Sequence, residues 1–93
     1  MKYDIRFTNQ FKKDVKLAKK QGKDIDKFFA VIDDLSEGKS LDIKLRDHEL
    51  TGCFNGCREC HIEPDWLLIY EYFDDVLILM LNRVGSHSEL FKK

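Results

Sequence analysis

The stretch CRECHIEPDWLLIYEYFDDVLILMLNRV, residues 57–84, decides the fold. It holds three runs rich in apolar, aromatic and β-branched residues. These are Cys57 to Glu63, Trp66 to Phe73 and Val76 to Val84, separated only by Glu63-Pro64-Asp65 and Asp74-Asp75. Runs this close leave no room for a crossover helix, so they read as strands joined by antiparallel hairpins. Val76 to Leu81 is apolar throughout, which predicts a central strand covered on both faces. Trp66 opens the middle run, where most tryptophans are core residues.

Upstream, Tyr3 to Phe7 alternates as a half-buried strand does. Thr8 or Asn9 can cap a helix in which Phe11, Val15 and Ala18 recur at helical spacing. Gln21-Gly22 ends it. Asp24 can cap a second helix whose core-facing stripe is Ile25, Phe28, Phe29, Ile32 and Leu35, and Gly38 stops it. A short turn between the helices predicts an antiparallel helical hairpin. Lys39 to Asn55 is a polar connection, with a short extended piece expected around Leu45. Downstream, Gly85-Ser86 breaks the sheet and His87 to Phe91 forms a last helical turn. The order is β-α-α-β-β-β, an α+β domain over residues 1–93. A twisted antiparallel sheet of about four strands, the N-terminal one included, is expected to carry the hairpin on one face.

Composition agrees. The 93 residues are 43% hydrophobic with one Pro and five Gly, a balance that builds a core rather than a disordered chain. A domain of this size buries only about 60–65% of its unfolded surface, so its stability is marginal. No segment approaches the ~20 consecutive apolar residues of a membrane span. Met1 to Phe11 lacks the apolar region of a signal peptide, so a cytoplasmic chain with reduced thiols is expected. The net charge of −1 hides an asymmetry: residues 1–27 carry a net +5 and residues 28–93 a net −6. A basic first third suits an anionic partner or is a solvated lysine face.

Three histidines lie at the ends of these elements. His61 stands four residues before Asp65, across a proline-fixed turn. His87 follows Arg83 by four residues, past Gly85, and His48 sits in a polar loop between Asp47 and Glu49. Metal-free RNA cleavage needs a base for the ribose 2′-hydroxyl, an acid for the leaving 5′ oxygen and a cation for the phosphate charge. Imidazole titrates near neutral pH and serves as either acid or base. A guanidinium grips phosphate oxygens and stays charged. An aromatic face stacks a splayed-out base. The three histidines, Asp65, Arg83 and Phe91 supply each kind of group. The plainer reading pairs Arg83 with a surface carboxylate and puts Phe91 at the core edge.

The cysteines offer a decoy. Cys57-Arg58-Glu59-Cys60-His61 has the C-x-x-C-H spacing of haem attachment, and Cys53, Cys57, Cys60 and His61 could be read as zinc ligands. Strand alternation opposes both, because Cys57 and Cys60 should point to opposite faces, as should Cys60 and His61. No metal and no cofactor are expected, and the thiols are expected to be buried or at an edge.

At this point the chain resembles a known family. His61-Ile62-Glu63-Pro64-Asp65-Trp66-Leu67-Leu68-Ile69-Tyr70 is similar to the signature of YafQ-type toxins of the RelE-like superfamily. So are Asp47-His48, Leu50-Thr51-Gly52, Lys13 to Ala18 and the end Arg83-Val84-Gly85-Ser86-His87-Ser88-Glu89-Leu90-Phe91. The resemblance implies a RelE-like fold and a type II toxin held by a cognate antitoxin in a hetero-oligomer. It implies ribosome-dependent cleavage of messenger RNA at the decoding site. Carried over by position, the catalytic set is His48, His61, Asp65, Arg83 and His87, with Phe91 helping to place the substrate; Trp66, by its position beside Asp65, is also expected on the substrate side. Asp65 or His61 is expected near the 2′-hydroxyl, His87 near the leaving oxygen and Arg83 on the phosphate. The products would be a 2′,3′-cyclic phosphate and a 5′-hydroxyl. The antitoxin is expected near the basic first helix. The competing readings are a ParE-like gyrase poison and a non-catalytic binding domain on the same scaffold.

Overall fold

The computed structural model describes residues 2–50, 52 and 56–91. Strand β1 (Asp4–Phe7) leads into helices α1 (Asn9–Lys20) and α2 (Ile25–Ser36). A 3-10 turn, Ile43–Leu45, precedes the short strand β2 (His48–Glu49). Strands β3 (Arg58–Glu63), β4 (Trp66–Phe73) and β5 (Ile78–Gly85) follow, and α3 (His87–Leu90) ends the described chain.

Local chemistry sets most boundaries. Thr8 caps α1 by accepting from the Phe11 N–H at 3.0 Å, and its hydroxyl donates to the Asn82 carbonyl at 2.8 Å. The cap therefore ties the first helix to the last strand. Asp24 caps α2 through the Lys27 N–H. The stripe α2 buries is Phe28, Val31, Ile32 and Leu35, the i, i+3, i+4, i+7 set. Phe29, expected in that stripe, is 52% exposed. One helical step of about 100° carries it off the buried face, and Val31 takes its place.

The sheet has five strands in the order β1-β5-β4-β3-β2. The three C-terminal strands form the expected antiparallel meander. Two features differ from expectation. First, β1 pairs with β5 in parallel, so the sheet is mixed rather than wholly antiparallel. A parallel pair needs a long connection, and here everything from α1 to β4 supplies it. Second, the extended piece expected around Leu45 is a 3-10 turn capped by Asp42, and the pairing falls at His48–Glu49 on the β3 edge. His48 thus sits on an edge strand rather than in a loop.

The strand covered on both faces is β4, whose residues Trp66 to Tyr70 are at most 1% exposed. Val76 and Leu77 are 58% and 47% exposed, because the β4–β5 turn consumes the start of that apolar run. Cys60, Ile62, Trp66, Leu68 and Tyr70 meet the helices on one face with Phe11, Phe28 and Leu35. Leu67 and Ile69 pack on the other with Cys57 and Leu90. Cys57 and Cys60 therefore face opposite ways, as alternation requires.

Candidate active site

The site grows from the second sheet face, at the end where β3 turns into β4 and β5 runs out. Two rows of residues cross the strands. One is His61–Leu67–Gly85 and the other Glu59–Ile69–Arg83, with His48 of β2 opposite Glu59. Register alone brings His48, His61 and the approach to His87 to one place.

His87 is fixed by the helix that starts there. Ser86 caps α3 in a capping box with Glu89: Ser86 Oγ accepts from the Glu89 N–H, and Glu89 Oε1 accepts from the Ser86 N–H at 2.8 Å. That backbone bond holds the Glu89 carboxyl below its ordinary value. Gly85 leaves room for it, since a Cβ there would lie 2.9 Å from Glu89 Oε1 and would push that carboxylate from its cap. Asp65 then orients His87. Its Oδ1 accepts from the His87 backbone N–H at 3.0 Å and lies 2.8 Å from His87 Nδ1. The backbone bond first, and the ring second, lower the Asp65 pKa from its ordinary value. An ionised carboxylate only accepts, so Nδ1 carries the hydrogen and Nε2 is turned to the open side.

The three imidazoles form a chain. The His61 ring lies 6.3 Å from that of His48 and 5.7 Å from that of His87. The Phe91 ring is 6.3 Å beyond His87. His48 is exposed and the His87 side chain 54% exposed, whereas His61 between them is 11% exposed. His61 is held by Glu59, whose Oε1 lies 3.1 Å from His61 Nε2 and whose side chain is 5% exposed. The sequence reading missed Glu59. Its one signal was alternation, since a residue two before His61 on a strand shares its face.

His48 is braced from behind. Its Nδ1 lies 2.7 Å from the Arg46 carbonyl, and Arg46 adopts a left-handed φ of 51°. Asp47 accepts from the Tyr70 hydroxyl at 2.6 Å and from Arg58 Nε at 3.2 Å. Burial, then Asp47, push the Tyr70 pKa up.

Two expected members stand differently. The Arg83 guanidinium is turned to α1, donating through Nε and Nη2 to Asp14 at 2.7 and 3.2 Å. Asp14 also accepts from the Val84 N–H, which is unpaired by strand because β1 stops opposite Leu81. Arg83 is therefore beside the histidines by register, with Nη1 as its remaining donor end. Trp66, expected on the substrate side, is 1% exposed and stacks on Phe28 with centroids 5.7 Å apart. It lies on the helix-covered face and is a core residue.

For the cysteines, Cys60 is fully buried, and burial pushes its thiol up to about 12. Cys57 Sγ lies 3.1 Å from Asn82 Nδ2. Cys53 lies outside the described residues. Among the described residues the group with metal-ligand spacing is Glu59, His61 and His87.

Comparison with known proteins bears on this arrangement. Residues 3–92 match the family described as "Bacterial toxin of type II toxin-antitoxin system, YafQ". The chain is 40% identical over 89 residues to the mRNA interferase toxin YafQ of Escherichia coli K12, covering 95% of each chain. Its structure superposes on the toxin of the E. coli DinJ-YafQ toxin-antitoxin complex with a TM-score of 0.87 at 39% identity, covering 98% and 99% of the two chains. A metal-bound toxin from Helicobacter pylori gives 0.90 at 39% identity, covering 96% and 99%. Sequence match, identity over nearly the whole length and fold agree: the chain belongs to the YafQ family of toxins of type II toxin–antitoxin systems.

Proposed function

We propose that the chain is the messenger RNA-cleaving toxin of its pair, acting by acid–base catalysis without metal at the ribosomal decoding site. The observation that carries this reading is the chain of three imidazoles with His87 oriented by Asp65. A phosphate seated over His61 would have an exposed imidazole on either side. His48 takes the proton of the 2′-hydroxyl as the 2′ oxygen attacks phosphorus. His87 Nε2 gives a proton to the departing 5′ oxygen. One P–O bond forms and one breaks, leaving a 2′,3′-cyclic phosphate and a 5′-hydroxyl. Asp65 is occupied in orienting His87, so the base role moves away from it. Arg83 Nη1 adds positive charge on the phosphate side, and the His61 ring lines the seat. Phe91 stacks a base. A cavity of about 550 Å³ opens beside His61, with Lys27, Lys44 and Arg46 on its wall alongside Asp34, Asp42 and Glu63. Although the H. pylori relative has been crystallised metal-bound, none of these proton transfers calls for a metal ion.

The antitoxin reading also has a surface. A groove of about 440 Å³ between α1, α2 and β1 is lined by Phe7, Phe11 and Phe29, with Lys12, Lys16 and Lys19 along its side. It suits an apolar segment carrying acidic residues.

The test is single-turnover cleavage of ribosome-bound message. His87→Ala should slow it ~10²–10⁴-fold while circular dichroism stays unchanged. Phenanthroline, which strips transition ions and leaves ribosomal Mg²⁺, should not slow it. Full activity in folded His87→Ala, or loss of activity with phenanthroline, refutes the mechanism; gyrase inhibition in place of cleavage would favour the ParE-like reading.

A further inference from the structure

We propose that Arg46 is a positioning residue for the base: its left-handed backbone turns its carbonyl onto His48 Nδ1 and so leaves His48 Nε2 bare, to take the 2′-hydroxyl proton. The use of Nε2 in catalysis rests on the proposed function above; the Arg46–His48 arrangement does not.

The bond itself fixes which nitrogen carries the hydrogen. His48 Nδ1 lies 2.7 Å from the Arg46 carbonyl oxygen. A carbonyl only accepts, so Nδ1 donates, and the neutral ring then has its lone pair on Nε2. A histidine side chain free in water prefers the opposite arrangement, with the hydrogen on Nε2. Without the Arg46 carbonyl, His48 would offer the substrate an N–H where a base is needed.

The backbone that makes the bond is in a region few residues occupy. Arg46 ends the 3-10 turn with φ 51° and ψ 42°, and its N–H donates to the Ile43 carbonyl at 3.1 Å. Glycine reaches that region freely, whereas a Cβ there crowds the following carbonyl oxygen. Arg46 and Leu77 are the non-glycine residues with positive φ among the described residues, and Arg46 is the one beside the histidines. Strain of this kind persists where the surroundings over-determine it. Here they do. Before Arg46 stands the turn capped by Asp42. After it, Asp47 is held by the Tyr70 hydroxyl at 2.6 Å and by Arg58 Nε at 3.2 Å, and His48 pairs with Glu59 across the sheet edge. Arg58 Nη1 also reaches Glu49 at 3.6 Å, but that carboxylate is 82% exposed and the contact adds little. The carbonyl is thus fixed from both sides, by a turn before it and a strand after it.

The experiment uses the isotope-labelled full chain and long-range proton–nitrogen NMR of the imidazoles, at a pH where the His48 ring is neutral. His48→Gln assigns the signals by their loss. Wild type should carry the hydrogen on His48 Nδ1 and show a bare Nε2. Arg46→Gly and Arg46→Val both remove the guanidinium, so the difference between them reads the backbone alone. Arg46→Gly keeps access to the left-handed turn and should keep the tautomer. Arg46→Val, branched at Cβ, should leave that region and move the hydrogen to Nε2 in part of the molecules. Arg46→Ala takes its place if circular dichroism shows Arg46→Val unfolded. Single-turnover cleavage of ribosome-bound message should be at least about 10-fold slower in Arg46→Val than in Arg46→Gly, since complete loss of a base costs ~10²–10⁴-fold and the shift is partial. A bare Nδ1 in wild type, or one tautomer shared by Arg46→Gly and Arg46→Val, overturns the role of Arg46. A tautomer that shifts while both variants cleave at equal rates overturns its use in catalysis. The expected tautomers in a protein that never cuts RNA support the Arg46–His48 arrangement and refute the nuclease reading instead.

Discussion

Asp14 and Arg83 allow a quantitative test. The Asp14 carboxylate accepts from Gln10 Nε2, from Arg83 Nε and Nη2, and from the Val84 N–H. Its side chain is 7% exposed and that of Arg83 26%. Asp14→Ala leaves the buried Val84 N–H unpaired, which costs ~1–3 kcal/mol. Arg83 also loses its partner, but water reaches a quarter of it, so the loss stays below the ~3–5 kcal/mol of a fully buried broken pair. Together, Asp14→Ala should cost about 2–4 kcal/mol, against ~5–14 kcal/mol for the whole domain. Arg83→Ala leaves Asp14 its other two partners and should cost about 1.5–3 kcal/mol. The double variant should cost less than the sum by ~1–3 kcal/mol, because both single variants remove the same ion pair and that loss is counted twice in the sum. Urea unfolding followed by circular dichroism measures all four corners of the cycle. Additivity within about 0.5 kcal/mol would mean that the two side chains do not act as a pair, and the reasoning fails. The result also governs how Arg83→Ala cleavage data are read, since part of any loss would come from a destabilised fold.

Trp66→Phe should lower stability by less than the ~3–5 kcal/mol of full truncation, and leave single-turnover cleavage by the folded protein unchanged. The smaller ring loses volume, but it also removes an indole N–H that is buried without a partner among the described residues; a large drop in the cleavage rate would return Trp66 to the site. Tyr70→Phe removes the 2.6 Å bond to Asp47 and should cost about 1.5–3 kcal/mol in urea unfolding, together with a shift of the His48 ring resonances. Unmoved His48 resonances would show that Asp47 does not brace it. Asp65 carries a depressed pKa, so its hold on His87 is fully present above the ordinary carboxylate value and is lost as pH falls through the lower, folded one. Carboxyl-carbon NMR should find Asp65 titrating below 3.8, and titration at or above that value contradicts the geometry.

By itself, the sequence determined what depends on near neighbours. Helix starts at Thr8 and Asp24 follow from one capping side chain each. The β3–β4–β5 meander follows from connections too short to allow another pairing. The grouping of His61 with Asp65 and His87 followed from those hairpins, which return the chain to the same sheet end. Phe29 and Leu45 were misread for local reasons: a helical stripe is wider than one residue choice, and an apolar residue in a polar stretch signals no particular turn.

Tertiary structure alone decided the rest. Only the fold sets β1 beside β5, since four residues carry no mark of a partner more than seventy positions away. Because β1 then ends opposite Leu81, the β5 backbone beyond it needs an acceptor, and Asp14 turns inward to supply one. That draws Arg83 away from the position its spacing suggested. Glu59 entered the site the same way, buried against His61 by the strands around it. A buried polar group must find a partner, and which partner is in reach is a property of packing that residue spacing does not encode.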